Sequence, residues 1–173
     1  MHIDQFNTTI DLWISELEKY SMEKLFDKPS VKSWSIGQLY RHLLNETEYY
    51  IEQIRECLGN NENAKELMKE TGIKMFIANE FPDEIIKGDP GVTEKIRQPE
   101  NKRNLMLQMR ALKLQMNELW KDIQSDDSKG KSMHPGLGYF TSKEWFQFAE
   151  MHLRHHLRQK QRIDDYLHTR KSF

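Results

Sequence analysis

The sequence predicts an all-α fold, specifically a four-helix bundle with one long crossover connection. Four long segments place apolar residues three and four positions apart, which is the spacing of an amphipathic helix. The chain contains no alternating β-branched run and no Asn-Gly turn, the usual signals of strands and hairpins. Charged residues make up 31% of the chain, which favours long helices with solvated faces over buried strands.

The first two long helices precede the crossover. Residues 4–20 form the first, because apolar residues recur along one face: Ile3, Phe6, Ile10, Trp13, Ile14 and Leu17. A loop over 24–33, which contains Pro29, is predicted to follow. Ser35 then serves as the N-cap of the second helix, and Gly59 is placed to end it. The core face of this second helix consists of Ile36, Tyr40, Leu43, Tyr50 and Ile54.

Residues 59–98 are predicted to form the crossover, with short helices at 64–68 and 73–79. The pattern is broken at Phe81-Pro82 and again at Asp89-Pro90-Gly91. Pro99 stands near the start of the third long helix, where proline is favoured. The core face of that helix consists of Leu105, Met109, Leu112, Met116, Leu119 and Ile123.

The fourth long helix has the best-defined start. A polar turn over 125–130 and a loop over 134–140 lead into it. Thr141 and Glu144 have the spacing of a capping box, in which each side chain binds the backbone N–H of the other. The helix is predicted to run from this box to about His168.

Bulk properties predict a soluble, cytoplasmic protein in which residues 1–173 form one domain. Cys57 is the single cysteine, so no internal disulfide can form and a reducing compartment is expected. The N-terminus lacks the basic and apolar regions of a signal peptide, and no apolar run is long enough to span a membrane. A net charge of −1 argues against recruitment to nucleic acid or to an anionic membrane.

Three histidines on the fourth helix are candidate metal ligands. His152 and His156 are four residues apart, so their imidazoles project from the same face, about one turn apart. That face also carries Trp145 and Phe148, which places the pair on the buried stripe. His155 also lies near His152, but about 100° of helical rotation separate it from His156. His155 is therefore interpreted as a surface residue or a support for the ligands.

A metal site needs a third ligand from another helix. His42, beside core residues of the second helix, is one candidate, and His134, in the loop before a proline, is the other. Glu46 lies one turn after His42 and can accept a proton from a bound water or orient a ligand. A solvated or paired carboxylate is an equally plausible role for Glu46, and hydrogen-bonded core histidines are the alternative to a metal site.

The chain resembles the DinB/YfiT-like family of four-helix-bundle metalloenzymes. One matching stretch is Trp-Ser-Ile-Gly-Gln-Leu, residues 34–39, which leads to His42. The other is residues 134–159, in which a His-Pro loop, a capped turn and an aromatic helix start precede His-Leu-Arg-His-His-Leu-Arg-Gln. The resemblance implies a divalent metal, such as zinc, nickel or iron, held by His42, His152 and His156. It thereby favours His156 over His155.

The resemblance also implies a class of reaction. Members of known activity include thiol-dependent S-transferases and a thiol-dependent isomerase, which use a low-molecular-weight thiol such as bacillithiol. The leading hypothesis is therefore a metal-dependent S-transferase acting on a small-molecule substrate, with Glu46 as a proton acceptor. Gln159, His155 and His134 are expected to orient ligands. The alternatives are a hydrolase with a metal-bound hydroxide and a non-catalytic metal-binding bundle of a stress or regulatory protein. The family also includes homodimers.

Overall fold

The computed structural model describes residues 3–31, 33–82 and 96–169. Four long helices pack as a bundle, which confirms the predicted all-α fold. In this bundle α3 packs against α5 and α6, and α1 completes the square by packing against the same two helices. The elements, in chain order, are α1 (Ile3–Lys19), α2 (Met22–Phe26), α3 (Ile36–Cys57), α4 (Glu70–Ala78), α5 (Lys102–Ser125), β1 (Lys131–His134), β2 (Gly138–Thr141) and α6 (Ser142–Thr169).

Large aromatic side chains fasten the bundle at its centre. The indole of Trp13, on α1, is fully buried, and its Nε1 donates to the backbone oxygen of Leu153 on α6 at 3.1 Å. The buried hydroxyl of Tyr40, on α3, donates to the backbone oxygen of Trp13 at 2.7 Å. Because both polar tips are satisfied, these rings contribute their apolar area without the cost of an unpaired donor. The three helices are thereby fixed relative to one another.

The predicted helix boundaries of the bundle rest on capping groups that the structure contains. The Ser35 side chain accepts from the backbone N–H of Gln38, and the Gln38 side chain accepts from the backbone N–H of Ser35. Thr141 and Glu144 form the predicted box at the start of α6. Gly59 follows α3 with a φ of +71°, a conformation that glycine adopts without strain.

Residues 131–141 contain two strands, although no strand was predicted there. Strands β1 and β2 pair as an antiparallel hairpin, with Met133 opposite Tyr139 and His134 opposite Gly138. Each strand has only four residues, which is too short to produce a recognisable alternation. Gly138 has a φ of +86° and lies against the backbone of Leu67 and Met68, so a side chain has no room there.

Three other predictions need correction. The predicted loop over 24–33 begins inside α2, which Ser21 caps through a hydrogen bond with Lys24. Residues 64–68, predicted as a helix, form turns and a single bridge to Gly138, because the hairpin supplies backbone partners there. Helix α5 begins only at Lys102, since Asn101 is the N-cap, so Pro99 precedes the helix.

The predicted helix over 73–79 is confirmed as α4, whose C-cap Asn79 has the left-handed conformation. The predicted break at residues 89–91 lies outside the described residues. Within the described ranges, every helix is too short or too polar to cross a membrane.

Candidate metal centre

Helices α3 and α6 run antiparallel and bring the predicted ligands together. His42 on α3 contacts His156 and His152 on α6, with ring centroids 4.7 and 5.1 Å apart. Two turns further along α3, Tyr50 stacks on Trp145, near the start of α6. The antiparallel pairing of the two helices therefore brings His42 together with two residues that follow it by 110 and 114 positions in the chain.

The three imidazoles converge through the same ring atom. The Nε2 atom of His156 lies 3.0 Å from Nε2 of His42 and 3.0 Å from Nε2 of His152. One nitrogen from each ring can be chosen so that all three lie within 4.8 Å of one another. We name His42, His152 and His156 the histidine cluster. Its geometry is that of three nitrogen donors directed at one small volume.

Burial keeps the three imidazoles of the histidine cluster in their neutral form. His152 and His156 are 6% and 8% exposed, and the His42 side chain is 14% exposed. Burial, with a smaller contribution from neighbouring histidines, lowers the pKa of His42 to about 4 and that of His156 to about 3. The same two causes place the pKa of His152 well below its usual value. At neutral pH the cluster therefore offers lone pairs and carries no positive charge.

The Nδ1 atoms, on the far side of each ring, differ in their surroundings. Nδ1 of His156 lies 2.8 Å from Oε1 of Gln159, so the proton of that ring is held on Nδ1 and the lone pair stays on Nε2. Nδ1 of His42 lies 4.0 Å from Oε1 of Glu46. Nδ1 of His152 is buried and has no hydrogen-bond partner.

Glu46 is held beside His42 by a residue that sequence reasoning did not assign to the site. The hydroxyl of Tyr50 donates to Oε2 of Glu46 at 3.2 Å, and the Tyr50 ring packs edge-on against His152. Burial raises the pKa of Glu46, an effect that this hydrogen bond partly opposes. The spacing of four residues between Glu46 and Tyr50 on a helix was a signal that could have identified the pair.

Of the other predicted supporting residues, His155 packs beside the histidine cluster and His134 lies away from it. The ring of His155 contacts that of His156, with centroids 5.1 Å apart. Nδ1 of His155 lies 3.0 Å from a guanidinium nitrogen of Arg158, and its ring packs on Phe81. His134 lies on the hairpin, where its Nδ1 accepts from the backbone N–H groups of Gly136 and Leu137. The described contacts of His134 are with the backbone and with aromatic rings, not with the cluster.

Aromatic side chains surround the histidine cluster on several sides. The ring of Trp34, directly before the α3 cap, lies 4.9 Å from that of His42. The ring of Phe81 lies 6.0 Å from that of His152. Apolar walls of this kind lower the local dielectric and so favour neutral imidazoles. In the sequence, Trp34 was identified as the first residue of the motif at 34–39. Phe81 was identified only as part of the break at Phe81-Pro82, with no role in the site.

The donor set fits a divalent metal ion. Neutral imidazoles are the form that binds zinc and related ions, and three protein ligands leave a position open for a further ligand. Three imidazoles without a metal would share too few protons to satisfy every nitrogen, as the unpartnered Nδ1 of His152 shows. The cluster can therefore hold a metal ion, and the fold buries it beside aromatic walls.

A comparison with protein-family models finds a match that includes the histidine cluster. The family model described as the DinB superfamily matches residues 5–159, which include all three histidines of the cluster. The resemblance found in the sequence is thereby confirmed at the level of the family. No curated protein matches the chain.

Proposed function

The chain belongs to the DinB superfamily, and we propose that it is a divalent-metal-dependent S-transferase acting on a small-molecule substrate. In this proposal His42, His152 and His156 bind zinc, nickel or iron, and a low-molecular-weight thiol such as bacillithiol is the second cofactor. The observation that best supports the proposal is that Nε2 atoms of three neutral imidazoles converge at one buried point. When bound, the metal would lower the pKa of a thiol or a water placed on its open position.

The residues around the cluster have separate tasks. Gln159 accepts the Nδ1 proton of His156 and so directs the lone pair of that ring inward. Glu46 lies on the Nδ1 side of His42, which suits the same task for that ring. With 31% of its side chain exposed, Glu46 also reaches solvent and is the proposed proton acceptor for the incoming thiol. Trp34 and Phe81 supply apolar surface that keeps water away from the histidines.

Metal analysis tests the site. Protein purified without a histidine tag is expected to contain about one divalent ion per chain, and His152→Ala is expected to contain almost none, because a ligand is lost. His155→Ala is the matched control, since it removes a neighbouring imidazole outside the cluster and should retain the metal. Equal metal content in wild type and His152→Ala would refute the proposed ligand set.

Conjugation assays test the reaction. The metal-loaded protein should join a low-molecular-weight thiol to a generic electrophile, and metal removal should abolish this activity. Glu46→Gln should lower the rate and alter its pH dependence while metal content stays near that of the wild type. Ester or amide hydrolysis that needs no thiol would favour the hydrolase instead. A metal-loaded protein that catalyses neither reaction would support a non-catalytic, metal-binding role.

A further inference from the structure

Helix α5 carries a second apolar stripe on the side that faces away from the core. Its core-facing side chains, such as Met109 and Met116, are fully buried, whereas Leu107 and Leu114 are 56% and 69% exposed. The two leucines lie about 160° of helical rotation from the core-facing residues. The exposed Ala111 lies between them on the same face. The outer face of a surface helix is normally polar, so this stripe calls for an explanation.

The neighbouring helices flank the stripe without covering it. Helix α5 packs against α1 and α3. On the α1 side, Arg110 pairs with Glu18 and Lys113 pairs with Asp11. These charged side chains therefore reach sideways to α1, and the leucines between them and α3 keep their exposure.

A groove of about 350 Å³ adjoins the stripe on its α3 side. Leu58, Leu114 and Leu119 contribute apolar surface to this groove, and Arg55 and Glu118 are among its charged lining residues. Leu114 therefore belongs both to the stripe and to the groove. An apolar side chain from another molecule that packs on Leu114 would lie at the groove as well.

We propose that this face of α5 binds the same face of a second copy of the chain, so that the protein forms a symmetric dimer. The two α5 helices run antiparallel, and the twofold axis passes close to Ala111, whose small side chain lets the two backbones approach. Residues equally far from the axis on either side are then level with each other across the contact. Leu107 of one copy packs on Leu114 of the other, beside its groove.

The same symmetry brings opposite charges together at both ends of the contact. Arg103 lies one turn before Leu107, and Glu118 lies one turn after Leu114. Arg103 of one copy is therefore level with Glu118 of the other, and both residues are exposed. A parallel pairing through the same stripe would instead set Arg103 against Arg103 and Glu118 against Glu118. This complementarity favours a second copy in the antiparallel orientation.

The face is large enough for a weak dimer. Helix α5 has 24 residues and is therefore about 36 Å long. With the adjoining groove the face is about two helix diameters wide, which gives roughly 700 Å² per copy. A standard interface buries about 800 Å² per partner. Because few large apolar side chains lie at its centre, we expect a dissociation constant in the micromolar range.

Sedimentation equilibrium at micromolar concentrations tests the dimer. The wild type should pass from monomer to dimer as its concentration rises, and Leu114→Glu should stay monomeric, because it places a charge at the centre of the contact. Leu12→Glu is the matched control, since Leu12 is an exposed leucine of α1 outside the stripe, and it should dimerise as the wild type does. Thermal denaturation should show that both variants are folded.

Two results would overturn the inference. One is a wild type that stays monomeric at high micromolar concentration, which would leave a different protein as the occupant of the face. The other is a Leu114→Glu variant that dimerises normally. Neither result depends on the proposed reaction, because the stripe lies on α5 and the histidine cluster lies on α3 and α6.

Charge reversal tests the antiparallel pairing. Arg103→Glu and Glu118→Arg should each weaken self-association by about 10-fold, because like charges then meet at both ends of the contact. An equimolar mixture of the two variants should associate as the wild type does, since every introduced charge then faces an opposite charge on the other chain. A mixture that associates no better than either variant alone would contradict the pairing.

Cross-linking tests the position of the twofold axis. A short bis-maleimide should join Ala111→Cys into covalent dimers, because the two copies of this position lie beside the axis. The native Cys57 is only 1% exposed, so it should not compete. Gln124→Cys is the control, since Gln124 is exposed on the same helix but its two copies would be about 40 Å apart. Equal cross-linking of the two variants would contradict the proposed axis.

Discussion

Helix α6 carries two kinds of buried polar cluster, and the contrast between them distinguishes a structural network from a candidate metal site. The histidine cluster lies at the middle of the helix. One turn after it is the Lys160 network, which we define as Lys160 and Asp164 of α6 with Glu16 and Tyr20 from the α1 region. Both groups are largely withdrawn from water, and both connect α6 to another part of the bundle.

The Lys160 network is complete in itself. Nζ of Lys160 lies 2.8 Å from Oε2 of Glu16 and 2.7 Å from Oδ2 of Asp164. The hydroxyl of Tyr20 donates to Oδ1 of Asp164 at 2.6 Å. Every charge here has an opposite charge or a hydrogen-bond donor beside it, which is the condition for burying charges without a large penalty. Such a network fixes α1 against α6 and leaves no group available for a ligand.

The histidine cluster has the opposite property. Nε2 of His156 has a single lone pair but lies 3.0 Å from Nε2 of both His42 and His152, so it cannot satisfy both rings, and Nδ1 of His152 has no partner. A buried polar group has a purely structural role when the protein itself supplies all of its hydrogen-bond or charge partners. Where ligating nitrogens converge without enough protein partners, as in the histidine cluster, we propose that a metal ion completes the site. This difference leads to three predictions, in order of decreasing effect.

The largest effect is expected from Lys160→Met. This change leaves the buried carboxylate of Asp164 without its cation and leaves Glu16 with only the exposed Lys19. Breaking one side of such a buried network costs about 3–5 kcal/mol of unfolding free energy. Urea denaturation measures it. Metal content should stay at the wild-type level, because the cluster is untouched. A loss of metal with unchanged stability would reverse the roles assigned to the two clusters.

A smaller effect is expected from Gln159→Leu. The variant removes the acceptor for the Nδ1 proton of His156, and we expect metal affinity to fall by about 10- to 100-fold. Isothermal titration with Zn²⁺ into the metal-free protein measures the change. Gln161→Leu, two residues on, is the matched control, because Gln161 bonds to the exposed Asp165. Equal affinities for the two variants would show that Gln159 does not orient the ligand.

The smallest effect concerns pH. Hydrogen bonds from Lys160 and Lys19 lower the pKa of Glu16 below 4.5, so its ionised form stabilises the fold above that pH. This stabilisation is lost as pH falls from about 4.5 through the lower pKa of the folded state. Glu16→Gln should therefore flatten the dependence of stability on pH in that range by about 1 kcal/mol or less. Thermal denaturation between pH 5 and pH 3 measures it, and parallel curves would contradict the assignment.

The lysine of the same network titrates at the other end of the pH scale. Burial by itself would lower the pKa of Lys160, but its two carboxylate partners outweigh that effect and raise it. The stabilisation from a raised lysine pKa is present below the unfolded value near 10.5 and is lost as pH rises through the folded value. Lys160 and Glu16 therefore stay ionised across the neutral range, which separates their titration from that of the histidines.

The sequence predicted the helices better than the connections between them. Helices such as α3 and α6 have a long apolar stripe and a local cap, both of which are written in consecutive residues. The hairpin at 131–141 was not predicted, because strands of four residues show no recognisable alternation and the backbone of Leu67, which binds Tyr139, lies more than sixty positions earlier. Helix α2, with five residues, is too short to establish a period.

The same distinction applies to the site. Spacing on α6 indicated His152 and His156, and the resemblance favoured His42 over His134 as the third ligand. The sequence did not show that the three Nε2 atoms converge, because that depends on how α3 packs against α6. The hydrogen bond from Tyr50 to Glu46 is different, since both residues lie on α3 and their spacing of four residues was a usable signal.

X-ray absorption spectroscopy of the protein purified without a tag tests the central claim most directly. If the histidine cluster is a metal site, the spectrum should show about three imidazole nitrogens around one divalent ion, at about 2.0–2.1 Å for zinc. The signal of these imidazoles should be lost in His152→Ala and retained in Lys160→Met. A protein that takes up no divalent ion, or an ion whose imidazole signal is unchanged in His152→Ala, would contradict it.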